Sequence, residues 1–162
     1  MIKPQYTPLQ TAALVFLRLV IGWHFLYEGL AKLFNPNWTS APYLADAKWI
    51  FRSFFESILA NPTLLKTVDF LNIWGLIAVG CSLLLGCLAP LATFFGIILL
   101  CVYYVVNPAL PGVKSSIPAE GSYLIINKNL VELSAMVVLL FFPTSRIIGL
   151  DRFIFWKRIR SD

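Results

Sequence analysis

The apolar residues of this chain fall into four long runs, separated by polar or proline-containing segments. A helix needs about 20 predominantly apolar residues to cross a bilayer. The pattern therefore predicts four transmembrane helices, at about residues 9–34, 69–88, 91–106 and 123–142. The third run stops at Asn107-Pro108 and the fourth at Pro143, and proline is common just beyond a helix end.

The segment between the first and second runs has apolar residues at helical spacing from Tyr43 to Leu59, with charged residues largely on the other side. This pattern predicts an amphipathic helix at about 43–60 that lies in the membrane interface. A solvent-exposed helix packed on a loop is the alternative. The predicted fold class is an all-α integral membrane protein: residues 1–162 form one antiparallel four-transmembrane-helix bundle with this interfacial helix between helices one and two.

The composition supports a membrane protein. Hydrophobic residues make up 59% of the 162 residues and charged residues 13%, whereas soluble domains are about half apolar and a quarter charged. Three cysteines, Cys81, Cys87 and Cys101, lie in apolar runs without CxxC spacing. This placement favours packing thiols over a disulfide or zinc framework.

The formal net charge is +5, and much of it lies in the C-terminal stretch "RFIFWKRIR". Lysine and arginine beside membrane helices mark the cytoplasmic side. We therefore expect both termini in the cytoplasm, the two long loops outside, and membrane lipid rather than nucleic acid as the partner of this tail.

Ionisable residues interrupt the first run. Arg18, His24, Glu28 and Lys32 fall within an arc of roughly 120° on a helix that turns 100° per residue. Charge in contact with lipid is costly. The arc should therefore face the interior of the bundle.

The other predicted helices carry polar residues at the ends that an up-down topology brings to the same, outer side. They are Asp69 and Asn72 in the second helix, Tyr103 and Asn107 in the third, and Lys128, Asn129 and Glu132 in the fourth. Together with the arc of the first helix, they predict an outward-facing polar pocket in the bundle. The alternative is that these charges are ion-paired and only fix the helix register.

Depths estimated at about 1.5 Å per residue predict specific ion pairs. Arg18 is expected to pair with Glu132, and Glu28 with Lys128 or with Lys32, four residues away on the same helix. His24 lies between these pairs. The two glutamates would carry protons if burial raised their pKa values.

Other chemistries have weaker support. His24 is the single histidine, whereas di-metal sites in bundles use a Glu-x-x-His motif from each of two helices. No metal site is therefore predicted. The chain also lacks a glycine-rich phosphate loop, a GxSxG motif and a dinucleotide-binding fingerprint.

Four stretches resemble the DoxX family of small four-helix membrane proteins, including its DoxD-like branch, the small subunit of thiosulfate:quinone oxidoreductase. They are "GWHFLYEGLAKLFNPNW", "DFLNIWGLIAVG", "EGSYLIINKNLVEL" and "GLDRF". The resemblance implies a bundle in the inner membrane of a prokaryote. It also implies electron transfer from thiosulfate, through a partner subunit, to a quinone.

The expected function is the membrane subunit of a quinone-linked, thiosulfate-type oxidoreductase, although whether the chain is itself an enzyme stays open. Quinone would be the non-covalent redox ligand, and a second oxidoreductase subunit and further copies of this chain would be the protein partners. The alternatives are a non-catalytic membrane organiser and a protein that binds a small amphiphile or lipid. Expected catalytic residues are Glu28, Glu132 and His24, and expected substrate-binding residues are Arg18, Lys32, Asp69, Asn72, Tyr103, Asn107, Lys128 and Asn129.

Overall fold

A computed structural model describes residues 6–47, 50–108 and 124–154. Within these ranges the chain forms α1 (Pro8–Leu33), α2 (Ala41–Ala45), α3 (Arg52–Leu59), α4 (Pro62–Leu85), α5 (Ala89–Val106), α6 (Lys128–Phe141) and α7 (Asp151–Ile154). Three of them, α1, α4 and α5, are long and apolar enough to cross a membrane. The chain is therefore a multi-pass membrane protein, as the first three runs predicted.

Local sequence signals explain where the long helices begin. Thr7 and Gln10 form a capping box at the start of α1, in which each side chain accepts a hydrogen bond from the backbone N–H of the other. At α4, the side chain of Asn61 accepts hydrogen bonds from Thr63 and Leu64, and Pro62 occupies the first helical position. This cap starts α4 seven residues before the predicted position, 69.

The helix α6 is shorter than the predicted fourth span. It begins at Lys128, because Asn127 caps it by accepting a hydrogen bond from the N–H of Leu130 at 3.0 Å. The predicted start at residue 123 lies outside the described residues. With 14 residues, α6 is about 21 Å long at 1.5 Å per residue.

The predicted interfacial helix is replaced by two short ones. Residues 41–45 form α2 and residues 52–59 form α3, while residues 48–49 of the predicted segment 43–60 lie outside the described residues. A small apolar cluster of Leu44, Ala47, Phe55 and Val106 packs these helices against the end of α5. This segment therefore covers one end of the bundle.

The long helices run up and down. Gly22 of α1 lies against Leu83 of α4, while Gly29, further along α1, lies against Ile77, which is earlier in α4. These two helices are therefore antiparallel and in close contact. The main core between the four long helices includes Ile21, Phe25, Leu76, Val79, Leu83, Leu100, Met136 and Leu139.

Candidate functional site

A cavity of about 650 Å³ lies where α1 and α5 end and α4 and α6 begin. We call this the cavity end of the bundle. The apolar walls are Phe25, Leu76 and Leu100, and polar side chains from all four long helices line the rest. The volume is in the range of small-molecule sites, which are mostly apolar with a few placed polar groups.

The first polar pair on the wall joins α1 to α6. His24 Nδ1 and Glu132 Oε1 are 2.7 Å apart, the distance of a charge-assisted hydrogen bond. The Glu132 side chain is 13% exposed and that of His24 41% exposed. A ligand in the cavity can therefore reach a histidine whose ring is oriented by a carboxylate.

The second pair lies on α1 alone. Lys32 Nζ donates to Glu28 Oε2 at 2.6 Å and to the Glu28 carbonyl oxygen at 3.3 Å. The ammonium group also lies 5.7 Å from the centre of the Trp38 ring, within the range of a cation–π interaction. Of the two partners predicted for Glu28, the structure therefore places Lys32 in the ion pair, while Lys128 lines the same cavity.

A third polar group joins α4, α5 and α2. Asn72 Nδ2 donates to the Tyr103 hydroxyl at 2.7 Å, and the Tyr43 hydroxyl donates to the Tyr103 carbonyl oxygen at 2.7 Å. Burial raises the pKa of Tyr43 to about 12, so this hydroxyl stays protonated as a donor at neutral pH. The aromatic rings of Tyr43 and Tyr103 meet edge to face, with centroids 6.1 Å apart.

Residues 35–43, here called the roof loop, cover the cavity. Asp69 anchors this loop to α4, because its carboxylate accepts hydrogen bonds from the Thr39 hydroxyl at 2.8 Å and from the Ser40 N–H at 2.8 Å. The Ser40 hydroxyl donates to the same carboxylate at 2.5 Å. Asp69 thus acts on the cavity through the roof loop rather than by lining it.

Most of the residues predicted to form the site line this one cavity. They are His24, Glu28, Lys32, Asn72, Tyr103, Lys128, Asn129 and Glu132. Asp69 lies behind the roof loop, and Asn107 ends α5 as its C-cap residue. Whether these residues bind or transform a substrate stays a prediction.

The predicted ion pair between Arg18 and Glu132 is wrong. Arg18 precedes His24 by six residues, about 9 Å along the helix axis, and lies in a separate, much smaller cavity with Thr93, Thr144 and Ser145. Because α6 begins at Lys128 and not at 123, Glu132 lies in the first turns of that helix, level with His24.

Arg18 belongs instead to a buried polar cluster at the opposite end of the bundle. Its Nη1 donates to Thr144 Oγ1 at 3.2 Å, and Asp151 acts on it electrostatically. The Asp151 carboxylate also accepts hydrogen bonds from the N–H groups of Leu88 at 2.6 Å and Ala89 at 3.2 Å. Sequence reasoning missed this structural role, although Asp151 is part of the quoted stretch "GLDRF".

The roof-loop residues were also missed. Trp38, Thr39, Ser40 and Tyr43 line the cavity, but the sequence places them in a polar loop and at the edge of an amphipathic segment. An available signal was the polar and aromatic content of the loop that directly follows the charged half of α1. Among the described residues, no three His, Cys, Asp or Glu side chains are grouped so that they would hold a metal ion.

Comparison with known proteins gives one result that identifies the family. The family model for DoxX matches residues 13–108, which is more than half of the chain. The chain belongs to the DoxX family. The matched range contains all but the first five residues of α1, together with the roof loop, α4 and α5 of this DoxX protein, while α6 and α7 follow it. No curated protein and no solved structure matches the chain.

Proposed function

We propose that this DoxX-family protein is the membrane subunit of a quinone-linked oxidoreductase, and that its cavity binds the quinone head group. The observation that carries the proposal is the hydrogen-bonded His24–Glu132 pair on the wall of a largely apolar cavity. A quinone head group is a flat apolar ring with two carbonyl oxygens. It needs apolar walls for the ring and hydrogen-bond donors for the oxygens.

The cavity offers both kinds of group. Phe25, Leu76 and Leu100 are apolar surfaces for the ring, while His24 and Lys128 carry N–H donors. Two carboxylates, Glu28 and Glu132, lie on the same wall as the cations Lys32 and Lys128, so the wall carries no large net charge. This balance suits a neutral ligand better than an anion such as free thiosulfate.

The His24–Glu132 pair has the arrangement of an acid–base group. Reduction of a quinone to a quinol takes up two electrons and two protons. In the proposal, His24 delivers one proton to one quinone oxygen, and the other oxygen takes the second proton from water. Glu132 orients the imidazole ring and stabilises its charged form. The two electrons come from a partner subunit that oxidises the donor, for which the DoxX resemblance suggests thiosulfate.

The proposal includes the membrane arrangement. In it, α6 and the apolar residues on both sides of it complete a fourth crossing. Exposed apolar side chains support this assignment: Leu124 and Ile125 before α6, Val131 and Val138 along it, and Phe141 at its end. Four crossings place both termini on the same side of the membrane, and the basic C-terminal stretch assigns this side to the cytoplasm of a prokaryote. The cavity end then faces outward beneath the roof loop.

Binding of a short-chain quinone to the purified protein tests the proposal. Titration with decylubiquinone and with a menaquinone analogue should give saturable binding. Glu132→Gln keeps an oxygen acceptor but loses the charge that stabilises the protonated imidazole, so the hydrogen bond from His24 to the quinone should weaken. We expect about tenfold weaker binding, roughly 1.4 kcal/mol, the size of one hydrogen-bond contribution. The matched control is Glu56→Gln, which removes the carboxylate of the exposed Arg52–Glu56 pair on α3 and should leave the affinity unchanged.

Equal affinities in both variants, or no saturable binding, would contradict the quinone site. A second measurement separates an enzyme subunit from the alternative, a protein that only binds a small amphiphile or lipid. In membranes that contain the native partner, Glu132→Gln should slow thiosulfate-dependent quinone reduction. Retained binding with no thiosulfate-dependent reduction in the unaltered protein would favour the binding protein.

A further inference from the structure

The four long helices pack unevenly around the cavity. Glycines bring α1 and α4 into close contact, since a Cβ atom at Gly29 or Gly80 would fall within 3 Å of the facing helix. The helices α5 and α6 also pack extensively, whereas α1 and α6 meet sparsely. The line between α1 and α6, here called the seam, is therefore the loosest part of the bundle.

Polar side chains bridge the seam at two levels. At the cavity end, His24 of α1 contacts Glu132 of α6 at 2.7 Å. At the other end, Arg18 contacts Thr144, just beyond α6, at 3.2 Å. The bridge at the cavity end lies between the cavity, which both of its residues line, and the exposed side chains of Trp23 and Tyr27 beside His24 on α1.

The outer surface next to this bridge is apolar. On α1, Val20, Trp23 and Tyr27 are 49%, 60% and 60% exposed and lie within about 100° of His24 around the helix. On α6, Val131 precedes Glu132 and is 59% exposed. In a bilayer these side chains contact lipid tails, so an apolar strip leads directly to the polar wall of the cavity.

The roof loop is more strongly attached than the seam. Asp69 binds the backbone and hydroxyl of Ser40 and the hydroxyl of Thr39, and the Tyr43 hydroxyl binds the Tyr103 carbonyl oxygen. Opening the roof would break these bonds together. Opening the seam at the level of the cavity would break the His24–Glu132 bond.

We infer that the cavity takes a long-tailed amphiphile that enters sideways from the bilayer between α1 and α6. The head group lies under the roof loop and the tail lies along the seam. The His24–Glu132 pair closes this entrance and is also the polar group that the head meets first. The inference rests on the proposed function, because it adds an entry route and a tail site to the quinone cavity.

A bulky residue in the seam tests the route. Ala135 follows Glu132 by three residues and lies about 60° from it around α6, and it is partly buried against the core. Ala135→Trp should weaken binding of decylubiquinone about tenfold while leaving the binding of a tail-less ubiquinone analogue unchanged. Ser134→Trp, on the exposed side of the same helix, is the matched control and should leave both affinities unchanged.

A photoreactive decylubiquinone with a diazirine at the end of its tail gives a second measurement on the unaltered protein. We expect labelled peptides from α1 and α6 around Val20, Tyr27 and Val131. Labelling of the roof loop, 35–43, by the tail would overturn the sideways route while leaving the quinone site standing. So would an Ala135→Trp protein that is folded and binds both quinones normally. No binding of either quinone would instead refute the proposed function, and the inference with it.

Discussion

At the scale of single residues, Asp151 holds the position that a helix-capping side chain normally fills. Leu88 precedes α5 with a left-handed φ of 52° and makes no side-chain capping bond. The carboxylate of Asp151, from the far end of the chain, accepts the N–H groups of Leu88 and Ala89 instead. It is 1% exposed, and its negative charge acts on Arg18.

Removing this carboxylate should therefore destabilise the fold. Asp151→Ala loses two backbone hydrogen bonds, of which the one from Ala89 is buried, and removes the carboxylate that acts on Arg18, so we expect a loss of about 1–3 kcal/mol in the free energy of unfolding. Asp151→Asn keeps an oxygen acceptor, so its free energy of unfolding should fall by less. Unfolding in mixed detergent micelles measures both, and an Asp151→Ala value within about 0.5 kcal/mol of the unaltered protein, typical of surface changes, would disprove the capping role.

At the scale of helices, glycine decides how closely α1 and α4 approach. A Cβ atom at Gly80 would lie 2.7 Å from the Leu26 Cα atom, which is backbone and cannot move aside. Gly75, on the same helix, is different, because its Cβ would meet Leu99 Cδ1 at 3.5 Å, an ordinary contact. The same residue type therefore has different importance at two positions of α4.

This difference predicts opposite results for two alanine substitutions. Gly80→Ala should force α1 and α4 apart and lower the free energy of unfolding by about 1–3 kcal/mol, as overpacking does. Gly75→Ala should be neutral, or stabilising by up to about 1 kcal/mol through helix propensity. Thermal unfolding of both variants in the same detergent measures the difference. Equal midpoints would show that the close contact between α1 and α4 at Gly80 does not determine stability.

At the scale of the whole molecule, the number of crossings determines whether the two termini lie on the same side of the membrane. Our proposal of four crossings predicts that green fluorescent protein fused after residue 162 fluoresces and that alkaline phosphatase fused there is inactive. Alkaline phosphatase fused after Asn61, between the first two crossings, should be active and is the control. Active phosphatase after both residues would indicate an odd number of crossings, whereas active phosphatase after residue 162 but not after Asn61 would place the cavity end in the cytoplasm.

The sequence by itself determined the parts of this protein that depend on local chemistry. Hydrophobic run length predicted α1, α4 and α5, because a bilayer needs about 20 apolar residues per crossing. Spacing on α1 gave Lys32 as one of two predicted partners of Glu28, and the structure contains this pair. Polar residues at matching helix ends also predicted that His24, Asn72, Tyr103 and Glu132 lie together, because successive crossings of a bilayer alternate in direction and bring the end of one helix beside the start of the next.

Tertiary structure decided the partners that come from different helices. A shift of a few residues in the start of α6 moved Glu132 from Arg18 to His24, since each residue displaces a side chain by 1.5 Å and 100°. The tertiary structure also placed the roof loop over the cavity through Asp69. It brought Asp151 to the start of α5 across 62 residues of sequence. Such long-range contacts depend on how helices pack, which the residue pattern of one helix does not contain.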